Sequence, residues 1–82
     1  MPRKYACPCC GYLTLPDEPP GTFEICPVCY WEDDNLQHAE PEREGGANSI
    51  SLIEARENFK KHGAMSLEFL DVVRLPLQEE QP

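Results

Sequence analysis

The chemistry of this chain is concentrated in its cysteines. Cys7-Pro8-Cys9-Cys10 and Cys26-Pro27-Val28-Cys29 share the pattern C-P-x-C, with 15 residues between the pairs. Two cysteines three positions apart can bend around one ion as a chelating turn, and two such turns supply four thiolates to a tetrahedron. Proline after the first cysteine of each pair fixes φ and removes an amide, which stiffens the turn. Gly11, directly after Cys10, is free to take the positive φ that such a turn calls for. The expected metal ligands are therefore Cys7, Cys10, Cys26 and Cys29, with zinc as the expected ion and iron as the alternative, because four sulfurs suit both. Cys9 is left over, since adjacent Cys9 and Cys10 would not readily chelate one ion and only Cys7 with Cys10 mirrors the second pair. It is either buried and inert or exposed and reactive. Two disulfides, buried free thiols, or a dithiol redox pair at Cys7 and Cys10 are the competing readings. The dithiol reading leaves the second pair without a purpose.

No catalytic set accompanies the cysteines. There is no Ser/His/Asp grouping, and four thiolates would leave zinc no open position for water. Glu32, Asp33 and Asp34 are consecutive carboxylates, a pattern that gives neither the opposed geometry nor the perturbed acidity that acid–base work needs. A solvated acidic turn, or a helix N-cap at Asp33 or Asp34, accounts for them. His38 reads as a histidine in a polar loop. The GGANS segment lacks the lysine and spacing of a phosphate loop and reads as a turn.

The elements that must position the cysteines follow from local pattern. Residues 5–31 form one unit in which YLTL (residues 12–15) and TFEI (residues 22–25) have strand character around the turn PDEPPG, which predicts a hairpin or irregular ribbon between them. Residues 32–50 are an acidic loop with no assigned element, broken by Gly45-Gly46. Residues 51–62 are predicted to be a helix. Ser51 and Glu54 form the S-x-x-E box, Leu52, Ala55 and Phe59 make one apolar stripe, and Gly63 follows Lys60, Lys61 and His62 as the stop. Residues 66–75 predict a short helix or strand, and residues 78–82 a frayed tail. Leu13, Leu15, Phe23, Ile25, Leu52, Ala55, Phe59 and Leu70 are the expected core, with Tyr30 and Trp31 packed over the metal site.

The whole chain sets the bounds. At 82 residues it is expected to be a single domain, near the size at which a metal, a disulfide or a partner is needed as a staple. The formal net charge is −8, from 15 acids against 7 bases. That balance argues against nucleic acid, which calls for a basic face. It favours a protein partner with a basic surface. Residues 17–44 hold nine acids and one base, Arg43, and mark the expected docking face. No apolar run suggests a leader or a membrane span, so a cytoplasmic protein is expected.

The ribbon YACPCCGY…PPGTFEICPVC is similar to rubredoxin, which carries C-x-x-C-G-Y, PPGT and C-P-x-C around one iron. The insert between the pairs is shorter here, and Tyr30 stands where rubredoxins have glycine. A longer match joins CPCCGY, ICPVCYWEDD and EGGANSISLIEAREN, over about residues 5–58, and resembles the cysteine-rich CPCC family of small bacterial proteins. That resemblance implies a zinc-ribbon or rubredoxin-like knuckle module followed by a helix and specifies no activity. The expectation is thus a small α+β metal-bound domain, serving as a non-catalytic protein-interaction module. A rubredoxin-like one-electron carrier is the alternative.

Overall fold

The computed structural model describes residues 4–82. Of the N-terminal stretch read for a leader, residues 1–3 lie outside the described residues. Two short strands, β1 (Tyr5–Ala6) and β2 (Leu13–Leu15), pair antiparallel, with Tyr5 opposite Leu15 and Ala6 opposite Leu13 across a register irregularity. The first cysteine pair is the turn of this hairpin. The second pair is the turn of a matching ribbon, in which Ile25 bridges Glu32 and Phe23 and Asp33 are joined by the Phe23 N–H donating to the Asp33 carbonyl at 3.0 Å.

This pairing differs from the hairpin expected between residues 12–15 and 22–25. Each arm instead folds back across its own cysteine turn. The reason is local: a C-P-x-C turn reverses the chain within a few residues, so the nearest backbone partner lies just beyond the cysteines. The segment 16–22 then serves as a connector, with a cis bond between Pro19 and Pro20.

Register decides which apolar residues go inside. Leu15, Val28, Trp31, Leu52, Ala55 and Met65 are buried together with four cysteines, while Phe59 and Tyr12 pack on the edge of this core. Phe23 and Ile25, expected inside, are about half exposed at 54 % and 46 %, and Leu70 lies outside too. All three stay only partly covered by the rest of the described chain. Leu13 is half-buried.

Helix α2 (Leu52–His62) follows the sequence closely. Ser51 Oγ accepts the Glu54 N–H at 3.1 Å, and Gly63 closes the helix at φ 91° with its N–H on the Phe59 carbonyl. Both ends satisfy backbone groups that a helix terminus would otherwise leave unpaired. Leu52 and Ala55 turn inward, and the Arg56 Nε donates to the Pro8 carbonyl, tying the helix to the first cysteine turn.

The acidic loop is more ordered than its composition implies. A short helix, α1 (Asn35–Ala39), starts at Asp34, whose carboxylate accepts from the Leu36 N–H at 2.7 Å and the Gln37 N–H at 3.3 Å. The other oxygen of Asp34 accepts from the Ala47 N–H at 2.8 Å. Gln37, fully buried, donates to the carbonyls of Arg43, Asn48 and Ile50 and accepts from both the backbone and the side chain of Asn48. Asn48 in turn clasps the Glu32 backbone, accepting its N–H and donating to its carbonyl. Every polar group of the Gln37 side chain is thereby satisfied, as burial demands. The Ala47 N–H, with those of Leu36 and Gln37, holds the Asp34 carboxyl below the usual carboxylate range against the opposing effect of burial. Its contribution to stability is therefore present above the ordinary carboxylate range and is lost only as pH falls through the lowered value.

The C-terminus is held rather than frayed. Single 3-10 turns form at Leu67–Phe69 and Gln78–Glu80. Glu80 is buried, takes a bidentate bond from Arg74 at 2.8 Å on both oxygens, and accepts the Leu77 N–H. Its carboxyl is lowered by that guanidinium. A charge-assisted pair with paired geometry can hold a terminus that composition alone would leave loose.

Gly46 belongs to the polar lock by virtue of having no side chain. A Cβ there would lie 2.8 Å from Asp34 Oδ2 and 2.9 Å from Gln37 Cδ, both fixed by their own hydrogen bonds. Gly46→Ala is expected to destabilise the protein by about 1–3 kcal/mol, the range for overpacking. Gly45→Ala, where a Cβ meets nothing, probes only the positive φ. Denaturant midpoints of the two variants check this, and a fully neutral Gly46→Ala would show that the lock yields.

Candidate metal centre

The two cysteine turns are near copies offset by 19 positions. In the first, the Cys7 N–H donates to the Tyr12 carbonyl at 2.9 Å and the Gly11 N–H to the Cys7 carbonyl at 2.8 Å. In the second, the Cys26 N–H donates to the Trp31 carbonyl at 2.9 Å and the Tyr30 N–H to the Cys26 carbonyl at 2.8 Å. The residue after each pair takes positive φ, 82° at Gly11 and 72° at Tyr30. Glycine does this freely, whereas a tyrosine held there costs on the order of 1–2 kcal/mol. Tyr30 is held by stacking on Phe69, ring centroids 4.5 Å apart.

The copies face each other and bring together Cys7, Cys10, Cys26 and Cys29, the set that the spacing singles out. Their sulfurs all lie within 4.8 Å of one another. Cys7 and Cys29 are 3.6 Å apart and Cys10 and Cys26 are 3.7 Å apart, sulfur to sulfur. A tetrahedron with metal–sulfur bonds near 2.3 Å has an edge of about 3.8 Å. The four residues are thus positioned to bind one metal ion. All five cysteines are free thiols, so the disulfide reading does not hold.

The surroundings suit thiolates. Thr14 Oγ1 donates to Cys26 Sγ at 3.0 Å, and the Trp31 N–H donates to Cys29 Sγ at 3.4 Å. Such donors orient ligands and moderate their charge. Trp31 is fully buried and Tyr30 partly so, which agrees with their expected place against the centre. Cys9 is buried too, at 8 % exposure. Neither Thr14 nor Met65 was expected here. Met65 enters because its N–H donates to the Cys29 carbonyl at 2.8 Å, a long-range contact that no local pattern announces. The Arg74 N–H bonds the Pro27 carbonyl in the same way. His38 lies exposed on α1 and is not among the clustered ligands.

Packed this closely, the sulfurs cannot all carry charge without an ion. Hydrogen bonds from Cys10, Cys29 and Cys7 draw Cys26 down toward the thiolate. Cys10 is pushed up by Cys26 and Cys29, and Cys7 by Cys10 and Cys26. Cys29 is drawn down by Cys10 but raised on balance by Cys26, Cys7 and Cys9. Protons therefore occupy the cluster when no cation does, and a metal must displace them.

The model of the cysteine-rich CPCC family matches residues 5–80, nearly the whole chain. The chain belongs to the cysteine-rich CPCC family. A search of curated proteins returns no match. In this CPCC protein the match reaches well past the cysteines and spans the residues of the polar lock and the Arg74–Glu80 pair.

Two outcomes are expected. Serine at Cys7, Cys10, Cys26 or Cys29 should abolish stoichiometric metal, with loss of the folded near-ultraviolet signal, whereas Cys9→Ser should retain one metal per chain by elemental analysis. Loading the metal-free protein should release protons, and the apparent affinity in a chelator competition should tighten as pH rises from about 6 to 8. A pH-independent affinity would mean that the raised thiols are not the ligands.

Proposed function

We propose that this protein is a zinc protein whose four-thiolate centre is structural, and that its surface serves to dock another protein. The single observation that carries the reading is the closed set of four converging cysteine sulfurs. Four thiolates complete the coordination of zinc and leave no position for substrate or water. A small chain with a modest core gains folding free energy directly from such a centre. No enzyme activity is proposed.

The docking part rests on charge. Residues 5–42 contain no lysine or arginine. Asp33 and Asp34 are buried and spent on the fold, but Asp17, Glu18, Glu24, Glu40, Glu42 and Glu44 remain exposed. A basic partner surface would be steered toward them, with association slowed by salt.

Four sulfurs also suit iron, and a rubredoxin-like electron carrier is the second reading, favoured by the N–H and O–H donors aimed at Cys29 and Cys26. Elemental analysis and a visible spectrum of protein purified without added metal separate the two. One zinc per chain without colour is the expected result. One iron with a reversible, bleachable absorbance would replace the structural reading with electron transfer.

A further inference from the structure

We infer that the groove lined by Ile25, Tyr30, Met65, Phe69 and Glu32, and closed by residues 47–49, receives one large apolar side chain of a partner protein segment whose flanking residues are basic. The inference rests on the docking reading above and gives it a place. The groove has a volume of about 240 Å³. Drug-sized ligands need about 300–1,000 Å³, whereas an apolar cavity of about 150 Å³ holds benzene, as an engineered lysozyme cavity does. The size therefore fits a single aromatic or branched side chain rather than a cofactor.

The lining matches that occupant. Tyr30 and Phe69 are stacked against each other and present an aromatic wall, and Met65 adds a thioether that favours aromatic neighbours. Ile25 is 46 % exposed, a cost with no return inside the isolated chain. Its bridge partner Glu32 places a carboxylate beside it in the same groove. The Glu32 backbone is clasped by Asn48, but its carboxylate is used in no hydrogen bond or ion pair among the described residues. The segments that line the groove, residues 25–32, 47–49 and 65–69, contain no lysine or arginine, while Glu68 is exposed next to Phe69.

Charge selects among occupants. A second copy of this chain would bring a net charge of −8 against an acidic rim, and nucleic acid or an anionic membrane would be repelled in the same way. A protein segment with an apolar anchor between lysines or arginines meets both parts of the surface. The anchor supplies burial and the basic flanks pair with Glu32, the division of labour between a buried hot spot and a polar rim.

The test titrates metal-loaded, nitrogen-15-labelled full-length protein with a capped peptide of one phenylalanine flanked on each side by two lysines. A companion peptide carries serine in place of the phenylalanine. Amide shifts are expected at Ile25, Tyr30, Glu32 and Phe69, and the serine peptide should bind about tenfold more weakly. Ile25→Ser and Glu32→Gln should each weaken the phenylalanine peptide several-fold, with metal content and helix signal unchanged. Equal binding of both peptides, with shifts spread over the acidic loop, would overturn the groove and leave the acidic docking face standing. No binding by either peptide would overturn both.

Discussion

Four sulfurs must meet within a few ångströms, and nearly every other feature of the fold can be understood from that convergence. Each C-P-x-C turn is held by the same two backbone hydrogen bonds, so each is a preformed half-site. One ion held by all four sulfurs would join the two halves. The rest of the chain then attaches to the turns through their own backbone. Arg56 reaches the Pro8 carbonyl from α2, and the C-terminal segment reaches the Cys29 and Pro27 carbonyls through the Met65 and Arg74 N–H groups. These carbonyls would otherwise need water.

A second constraint works at the opposite end of the economy of small proteins. An 82-residue chain cannot fill its interior with apolar side chains alone. Its buried set includes Asp33, Asp34, Gln37, Asn48 and Glu80 beside Trp31 and Leu52. Burying these is favourable only because each is paired: Asp34 with three amides, Gln37 with three carbonyls and Asn48, Glu80 with Arg74. The polar lock thus joins α1 and the glycine turn to the second ribbon without requiring further hydrophobic residues. Local exceptions remain, in the Trp31 Nε1 and Asp33 Oδ1 atoms, which are buried without a partner among the described residues.

The same shortage of covering layers explains the surface. With one two-turn cysteine unit and one sizeable helix, part of the second ribbon stays uncovered among the described residues. Phe23 and Ile25 are left outside, and Leu67, Val72 and Leu75 line an exposed C-terminal segment. Apolar exposure of this kind beside a strongly acidic sequence is what the proposed docking to a basic surface would use, since like charges oppose self-association.

What the sequence determined by itself was whatever depends on short spacings. The ligand set follows from two C-P-x-C pairs, α2 from Ser51, its apolar stripe and Gly63, and the turn at Gly11 from glycine after the last cysteine of its pair. In each, the residues that matter lie within a turn or two of one another, so their types state the geometry. Tertiary structure alone decided which strands pair, which faces are covered and what the polar loop does. Thr22–Ile25 alternates like a strand, but alternation does not say which face meets a neighbour. The EDD run reads as a solvated turn or a helix N-cap, and Asp34 is that N-cap, while GGANS reads only as a turn. They become an interior only when Asp34 meets Ala47 and Gln37 meets Asn48, pairings 13 and 11 positions apart that exist once the chain has folded. Met65 and Glu80 were hidden for the same reason: their partners, the Cys29 carbonyl and the Arg74 guanidinium, are set by the path of the chain and not by neighbouring residue types.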